Sequence, residues 1–364
     1  MVDIDDIASG PVWSTGLTYG DEMGKRWVRR PEGSNWGEFG DDDRIGRLNL
    51  LTPMKVKQGL AEAREGIAFC LSLPLDYPGG NVANPRRHPP RLFGAVHGGE
   101  CFHNYSRQVP GSARRSVVCD DAVLLSTQYS TQWDSLAHVG AEFDADGDGI
   151  DECVYYNGWR GGEHIVTPAP KEGAEEWARY EGVSAGPLGI DAMATSCVQG
   201  RGVMVDFFRR FGREHHRVGY DELMQILDED QVTVELGDML CLCTGFDELL
   251  LEMNRAPDPA RLHNSCAGLD GSDARLLEWI TESGVAALIS DNRAVEILPP
   301  PPGAASTVHE HCLFKLGVPL GEQWLLSPLN RWLQEHGRSR FLLTAPPLRL
   351  PGAAGSPVTP IATV

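Results

Sequence analysis

The stretch Val123–His138, reading VLLSTQYSTQWDSLAH, concentrates side chains that could do chemistry. From Val123 to Trp133 the odd positions are Val, Leu, Thr, Tyr, Thr and Trp. The even positions from Ser126 are Ser126, Gln128, Ser130, Gln132 and Asp134. Such period-two alternation, with β-favouring residues on one side, predicts a strand. An edge strand with a wetted face would carry Lys, Glu or Arg on its polar side. This one carries short acceptors and carboxamides, so it reads as a pocket wall that ends in Asp134, with His138 four residues on. A carboxylate and an imidazole placed together can pass a proton to and from a reacting group.

Asp144, Asp146 and Asp148, followed by Gly149, form a second cluster. Carboxylates at positions 1, 3 and 5 with Gly at 6 imitate a calcium-binding EF-hand loop, but position 12 is Tyr155 instead of the bidentate Glu. No helical pattern flanks the run, and a strand-like Val154-Tyr155-Tyr156 follows. An acidic, Gly-rich hairpin turn and a structural calcium loop are the two readings, with the turn preferred.

The segment Gln128-Tyr-Ser130-Thr131-Gln132-Trp-Asp134-Ser-Leu-Ala-His138 resembles the signature His-x-Gly-Thr-His-x-Asp-x-Pro-x-His of the cyclase family, which includes kynurenine formamidase and isatin hydrolase. The match is to a branch carrying the variant STQWDSLAHV. Further blocks carry the resemblance along the chain from about residue 34 to 364: Asp42 to Asn49, Arg201-Gly202-Val203, Gly237-Asp238 with Thr244-Gly245, Ser290-Asp291-Asn292, His309 to Glu322, and the ending from Ala345. By position, the resemblance implies that Gln128, Gln132 and Asp134 stand where the family binds a divalent metal, and that His138 stands at its acid/base position. Both metal-binding imidazoles are carboxamides here. The resemblance also implies that a His of the late helix, His309 or His311, and Glu322 approach the metal site. A helix-surface His beside the Thr307-x-x-Glu310 capping box is the alternative for either histidine.

The implied chemistry is attack of water on the carbonyl of a cyclic amide, lactone or related small molecule. A divalent ion polarises such a carbonyl and acidifies water. Carboxamide oxygens are harder and weaker ligands than imidazole, so Mn²⁺ or Mg²⁺ is expected in preference to Zn²⁺. Two rivals stand beside this hydrolase. One is a metal-free cyclase, dehydratase or lyase working through Asp134 and His138. The other is a degenerate member that only binds a small ligand.

The elements that must position these residues are mixed. Thr52-Pro53 caps a helix predicted to run to about Glu65, and Ser272 caps another to about Ser283. Thr307 opens a helix ending near Gly317, and Ser327-Pro328 opens one ending at Gly337. Strands are expected at 117–125, 153–156, 202–207, 238–243 and 285–290. Residues 76–115, rich in Pro, Gly, Arg and His, read as a long functional loop. The tail 345–364 holds five prolines and by composition alone would be disordered, but the resemblance implies order. No regular βαβ rhythm is present, so an α+β single domain with a mixed, barrel-like β core is expected, spanning 41–364 behind an irregular arm of residues 1–40.

Composition narrows the partners. The 364 residues carry 32 Lys and Arg against 51 Asp and Glu, a formal charge of −19. Nucleic-acid and anionic-membrane binding, which need clustered cations, are therefore not expected. No apolar run reaches the roughly 18 residues of a membrane helix. The acidic start lacks the basic region of a secretory signal, which gives a cytoplasmic expectation. Nine cysteines without a CxxC read as buried small hydrophobes in a reducing compartment. Trp13, Trp27 and Trp36 in the arm would be costly to leave in water, so a homodimer or homotetramer is expected, with the arm or the 76–115 loop crossing onto a neighbour.

Overall fold

The computed structural model describes residues 25–364; Trp13 and most of the N-terminal arm lie outside the described residues. Nine strands form one curled sheet: β1 (Ala68–Cys70), β2 (Gln132–Asp134), β3 (Gln199–Asp206), β4 (Met239–Cys243), β5 (Ala287–Ser290), β6 (Leu320–Glu322), β7 (Arg340–Thr344), β8 (Gly355–Pro357) and β9 (Ile361–Thr363). Their order is β1-β9-β7-β3-β4-β5-β6-β2-β8. The central four, β3 to β6, run parallel. Antiparallel pairs extend the sheet on both sides. This is the mixed α and β architecture with a barrel-like core that the sequence predicts.

The central strands are apolar on both faces because both faces are covered. Val203, Val205, Leu240, Leu242, Leu288 and Leu320 point into one core. Met204, Met239, Cys241, Cys243 and Ile289, the alternate residues, point into the other. Helices α1 (Pro53–Leu60), α2 (Tyr220–Glu229), α3 (Ala274–Ser283) and α4 (Ser327–Glu335) complete the layers. Leu223, Ile226, Leu276 and Ile280 of α2 and α3 bury against the first core, and Leu329 and Leu333 of α4 against the second. Arg201 is tied at the start of β3 by a bidentate pair to Asp238, at 2.9 Å for both oxygens, and Lys55 reaches the same carboxylate at 2.9 Å. The cluster is buried and holds α1 on the sheet.

Several local expectations need correction. The first helix stops at Leu60, well short of Glu65, although Thr52 does cap it by accepting from Lys55 N. The alternating run 123–133 is not one strand. A strand ends at Leu124, the chain turns through Ser126–Tyr129, and β2 begins at Gln132. Residues 76–115 are not all loop, since Arg91–Gly94 pairs with Asp121–Leu124 and Tyr105–Gln108 with Arg115–Val118 as antiparallel ribbons. Four cysteines are buried as expected, but Cys70, Cys101, Cys119, Cys153 and Cys197 are exposed. The tail is ordered and supplies two strands of the main sheet.

Trp27 and Trp36 bury in their own chain, 8% and 1% exposed, so they give no reason to invoke a neighbour. The Trp36 indole donates to Phe314 O at 2.8 Å and meets the Phe314 ring edge-on at 5.2 Å. Phe314 belongs to a π-helical turn, Glu310–Leu316, closed by Gly317 in the left-handed region at φ 61°. A Cβ on Gly317 would stand 2.6 Å from the Tyr156 ring, so only glycine fits there.

Candidate active site

β2 pairs with β6 so that Gln132 lies opposite Glu322 and Asp134 opposite Leu320. Residues two apart on a strand share a face. Gln132, Asp134 and Glu322 therefore line one side of the sheet, where β6 ends and where the loop after parallel strand β5 begins. Open α/β sheets place ligands at the carboxyl ends of their parallel strands. All three side chains are buried. Gln132 Nε2 donates to Asp134 Oδ1 and to Glu322 Oε2, each at 3.2 Å.

His309 completes the group from the first turn of the late helix. Its Nε2 is 3.1 Å from Glu322 Oε1 and its Nδ1 2.9 Å from Glu296 Oε1. Glu296 also accepts the backbone N–H of Val308 at 2.9 Å and of His309 at 3.0 Å. It thus caps the helix and fixes the imidazole in one stroke. Donor atoms of Asp134, His309 and Glu322 lie within 4.8 Å of one another. His138 Nε2 stands 3.8 Å from Asp134 Oδ1, and the His138 and His309 rings are 6.4 Å apart.

The charges are set by burial and by pairing. Burial pushes the Asp134 carboxyl above the ordinary range, with the nearby His138 opposing and the Glu322 charge adding to the shift. Burial would do the same to Glu322, but the hydrogen bond and charge of His309 outweigh it and hold that carboxyl low. Burial disfavours charge on His309 as well. Hydrogen bonds to Glu296 and Glu322 overcome this and raise its pKa to about 10.

The donor set fits a hard divalent cation. Among the described residues, Gln132 Oε1 and Asp134 Oδ2 are buried acceptors without a hydrogen-bond partner, which is an uncommon and costly condition. Two carboxylates, one imidazole and a carboxamide make an oxygen-rich set suited to Mn²⁺ or Mg²⁺ more than to Zn²⁺. A carboxylate behind the imidazole, as Glu296 stands behind His309, is the arrangement that orients a metal-binding histidine.

The remaining sequence candidates take the following places. His311 turns away and meets Thr281 Oγ1 at 2.9 Å. Gln128 Oε1 accepts from Thr127 Oγ1 at 2.8 Å, and its amide lies against Gly355, the β8 residue paired with Asp134. Asp144, Asp146 and Asp148 occupy the tip of a β-hairpin between Ala141–Phe143 and Glu152–Val154. There Asp144 accepts from Gly147 N and Gly149 N and pairs with Arg29 at 2.7 Å. Arg160 bridges Glu152 and Asp146, and Asp148 caps Ile150 N outside the acidic group. Carboxylate oxygens of Asp144, Asp146 and Glu152 lie within 4.8 Å of one another.

Three residues at the site escaped sequence reasoning: Glu296, Arg293 and Arg87. They line a cavity of about 400 Å³ together with His138, His309 and Glu322. Arg87 lies in the Arg-rich segment flagged as a functional loop. Glu296 and Arg293 follow the Ser290-Asp291-Asn292 block, but no spacing rule pointed to them.

The chain matches the family profile "Putative cyclase" over residues 69–297. No curated protein matches it. Among solved structures, one described as a novel cyclase is 30% identical, with a TM-score of 0.68 over 91% of this chain and 99% of that one. Isatin hydrolase A from Ralstonia solanacearum superposes with a TM-score of 0.51 at 14% identity, covering 85% of this chain and 97% of its own. An isatin hydrolase bound to the product analogue thioisatinate gives 0.51 at 13% identity, covering 86% and 99%.

Proposed function

The chain belongs to the cyclase family, and from that premise we propose that it is a hydrolase that opens a cyclic amide, lactone or related carbonyl compound with the help of a hard divalent ion. The observation that carries the reading is the convergence of Asp134, His309 and Glu322 beside orphaned buried acceptors on Gln132 and Asp134. The shared fold of enzymes named isatin hydrolases supports it. A cation held by Asp134, Glu322, His309 and Gln132 would acidify water and polarise the substrate carbonyl. His138 lines the cavity 3.8 Å from Asp134 Oδ1 and, unlike His309, is not locked between carboxylates. It takes the proton of the attacking water and returns it to the leaving nitrogen or oxygen. Glu296 holds His309 in register.

A metal-independent acid/base enzyme is the second reading. It is favoured by the way Gln132 Nε2 already bonds Asp134 Oδ1 and Glu322 Oε2 while the His309 ring bonds Glu322 Oε1. Elemental analysis and a chelator separate the two. For the first we expect Mn²⁺ or Mg²⁺ to restore activity removed by the chelator, zinc to be substoichiometric, and Asp134→Asn to abolish turnover without unfolding. Activity that ignores the chelator but is lost in both Asp134→Asn and His138→Ala would establish the second. Folded protein without turnover on a panel of cyclic amides and lactones would leave a ligand-binding member.

A further inference from the structure

The cavity is cationic in an acidic chain. Its lining sets Arg86, Arg87 and Arg293 against Glu296 and Glu322, although the chain as a whole carries −19. Most of that excess sits on two half-buried guanidiniums. Arg293 is held in place by Ala83 O and by His263 Nδ1 at 2.9 Å, and Arg87 by Gln128 O at 2.8 Å. Neither forms a salt bridge among the described residues, and the other N–H donors of each have no protein partner there. A guanidinium offers five donors in a planar fork matched to a carboxylate. Burial works against the charge on Arg293, with Glu322 as its compensating neighbour and Arg87 opposing it. Two buried-side arginines that face one cavity repel each other, and an anion placed between them relieves that repulsion.

We propose that Arg87 and Arg293 bind an acid group of the substrate, so that the enzyme selects a carbonyl compound bearing a carboxylate over its neutral counterpart. The proposal rests on the hydrolase reading for its substrate, but the anion site itself does not. With the carboxylate held by the arginines, His138 and Glu322 of the same lining are left for the scissile carbonyl. The positive cavity also draws anions from solution against the repulsion of the rest of the chain.

The test has a binding arm and a kinetic arm. Calorimetry measures benzoate and benzamide binding to the purified protein, to Arg87→Met and to Arg293→Met, with and without chelator. Benzoate should bind the parent in both conditions and about tenfold or more weakly in each variant, the scale expected of a lost charged hydrogen bond. Benzamide should not distinguish the three proteins. Benzoate binding that the chelator removes, or that both variants retain, overturns the arginine site. Arg293→Lys, which keeps the charge, checks that any loss in Arg293→Met is not misfolding. In the kinetic arm, a lactone acid and its methyl ester are compared once turnover is found. The parent should prefer the acid, and the variants should lose that preference through KM with kcat largely kept. Equal kcat/KM for acid and ester in an active parent sinks the inference and leaves the hydrolase standing. Benzoate binding without turnover of any substrate sinks the hydrolase and leaves the anion site.

Discussion

The two histidines of the late helix, two residues apart, sit in opposite electrostatic settings. His309 lies between Glu296 and Glu322 and is held charged, whereas His311 is buried against Thr281 with Lys315 as a like charge nearby. Burial first, then Lys315, lowers the His311 pKa to about 4. An unfolded histidine titrates near 6.5, so between about pH 6.5 and 4 the unfolded chain binds the extra proton. The stability that neutral His311 contributes is therefore complete above pH 6.5 and is lost as pH falls toward 4. We expect urea midpoints at pH 7 and pH 5 to differ less for His311→Gln than for the parent; an equal difference would remove His311 from the acid response. His138 invites a kinetic test instead. Because it faces the cavity and contributes little packing, His138→Ala should keep the melting temperature and cost turnover about 10²-fold or more. Unchanged turnover of an authentic substrate would take it out of the mechanism.

At the scale of elements, the π-helical turn 310–316 is the part that joins arm to site. Its first residues are capped by Glu296, its last is closed by Gly317, and its Phe314 receives Trp36. Removing the Trp36 side chain should cost about 3–5 kcal/mol, the range for truncating a buried aromatic, and part of that should appear as weaker substrate binding through a displaced His309. A denaturation midpoint unchanged in Trp36→Ala would show that the arm does not hold the helix. The same helix explains what the sequence could and could not disclose. Asp134 and His138 were legible because their chemistry is local, written in one strand and the turn after it. One half of the capping box at Thr307 was legible too, since Glu310 N does bond Thr307 Oγ1 at 3.1 Å. The choice between His309 and His311 was not, because it depends on which side of that helix faces Glu296, a residue fixed only by tertiary contact. The broken strand at 125–131 misled for the opposite reason. Its alternation is genuine, but Tyr129, whose hydroxyl donates to Gly80 O at 2.7 Å, anchors a turn there in place of a ladder.

On the whole molecule, the ribbon of residues 91–124 carries the argument for assembly that the tryptophans no longer supply. Leu92, Val96 and Val117 on it are 74%, 70% and 62% exposed, and Phe93 and Val123 are exposed beside them. Such a run of apolar side chains on two-stranded ribbons invites pairing, because little else buries it. The charge is complementary as well. Residues 86–124 hold Arg86, Arg87, Arg91, Arg107, Arg114 and Arg115 against Glu100, Asp120 and Asp121, whereas the chain carries −19. A second copy of this chain therefore offers an acidic body to a basic, apolar ribbon, and we infer a homodimer in which the ribbons reach across. Since Arg87 sits at the foot of this segment and lines the cavity, docking of the ribbon would also steady the site. Light scattering should give twice the monomer mass at micromolar concentration. Leu92→Asp combined with Val117→Asp should shift it toward monomer, since each change sets an anion against an acidic surface. Added salt should loosen the parent through screening of the charged contacts. A monomer mass for the parent at low salt, or a dimer indifferent to both aspartates, would place any interface elsewhere.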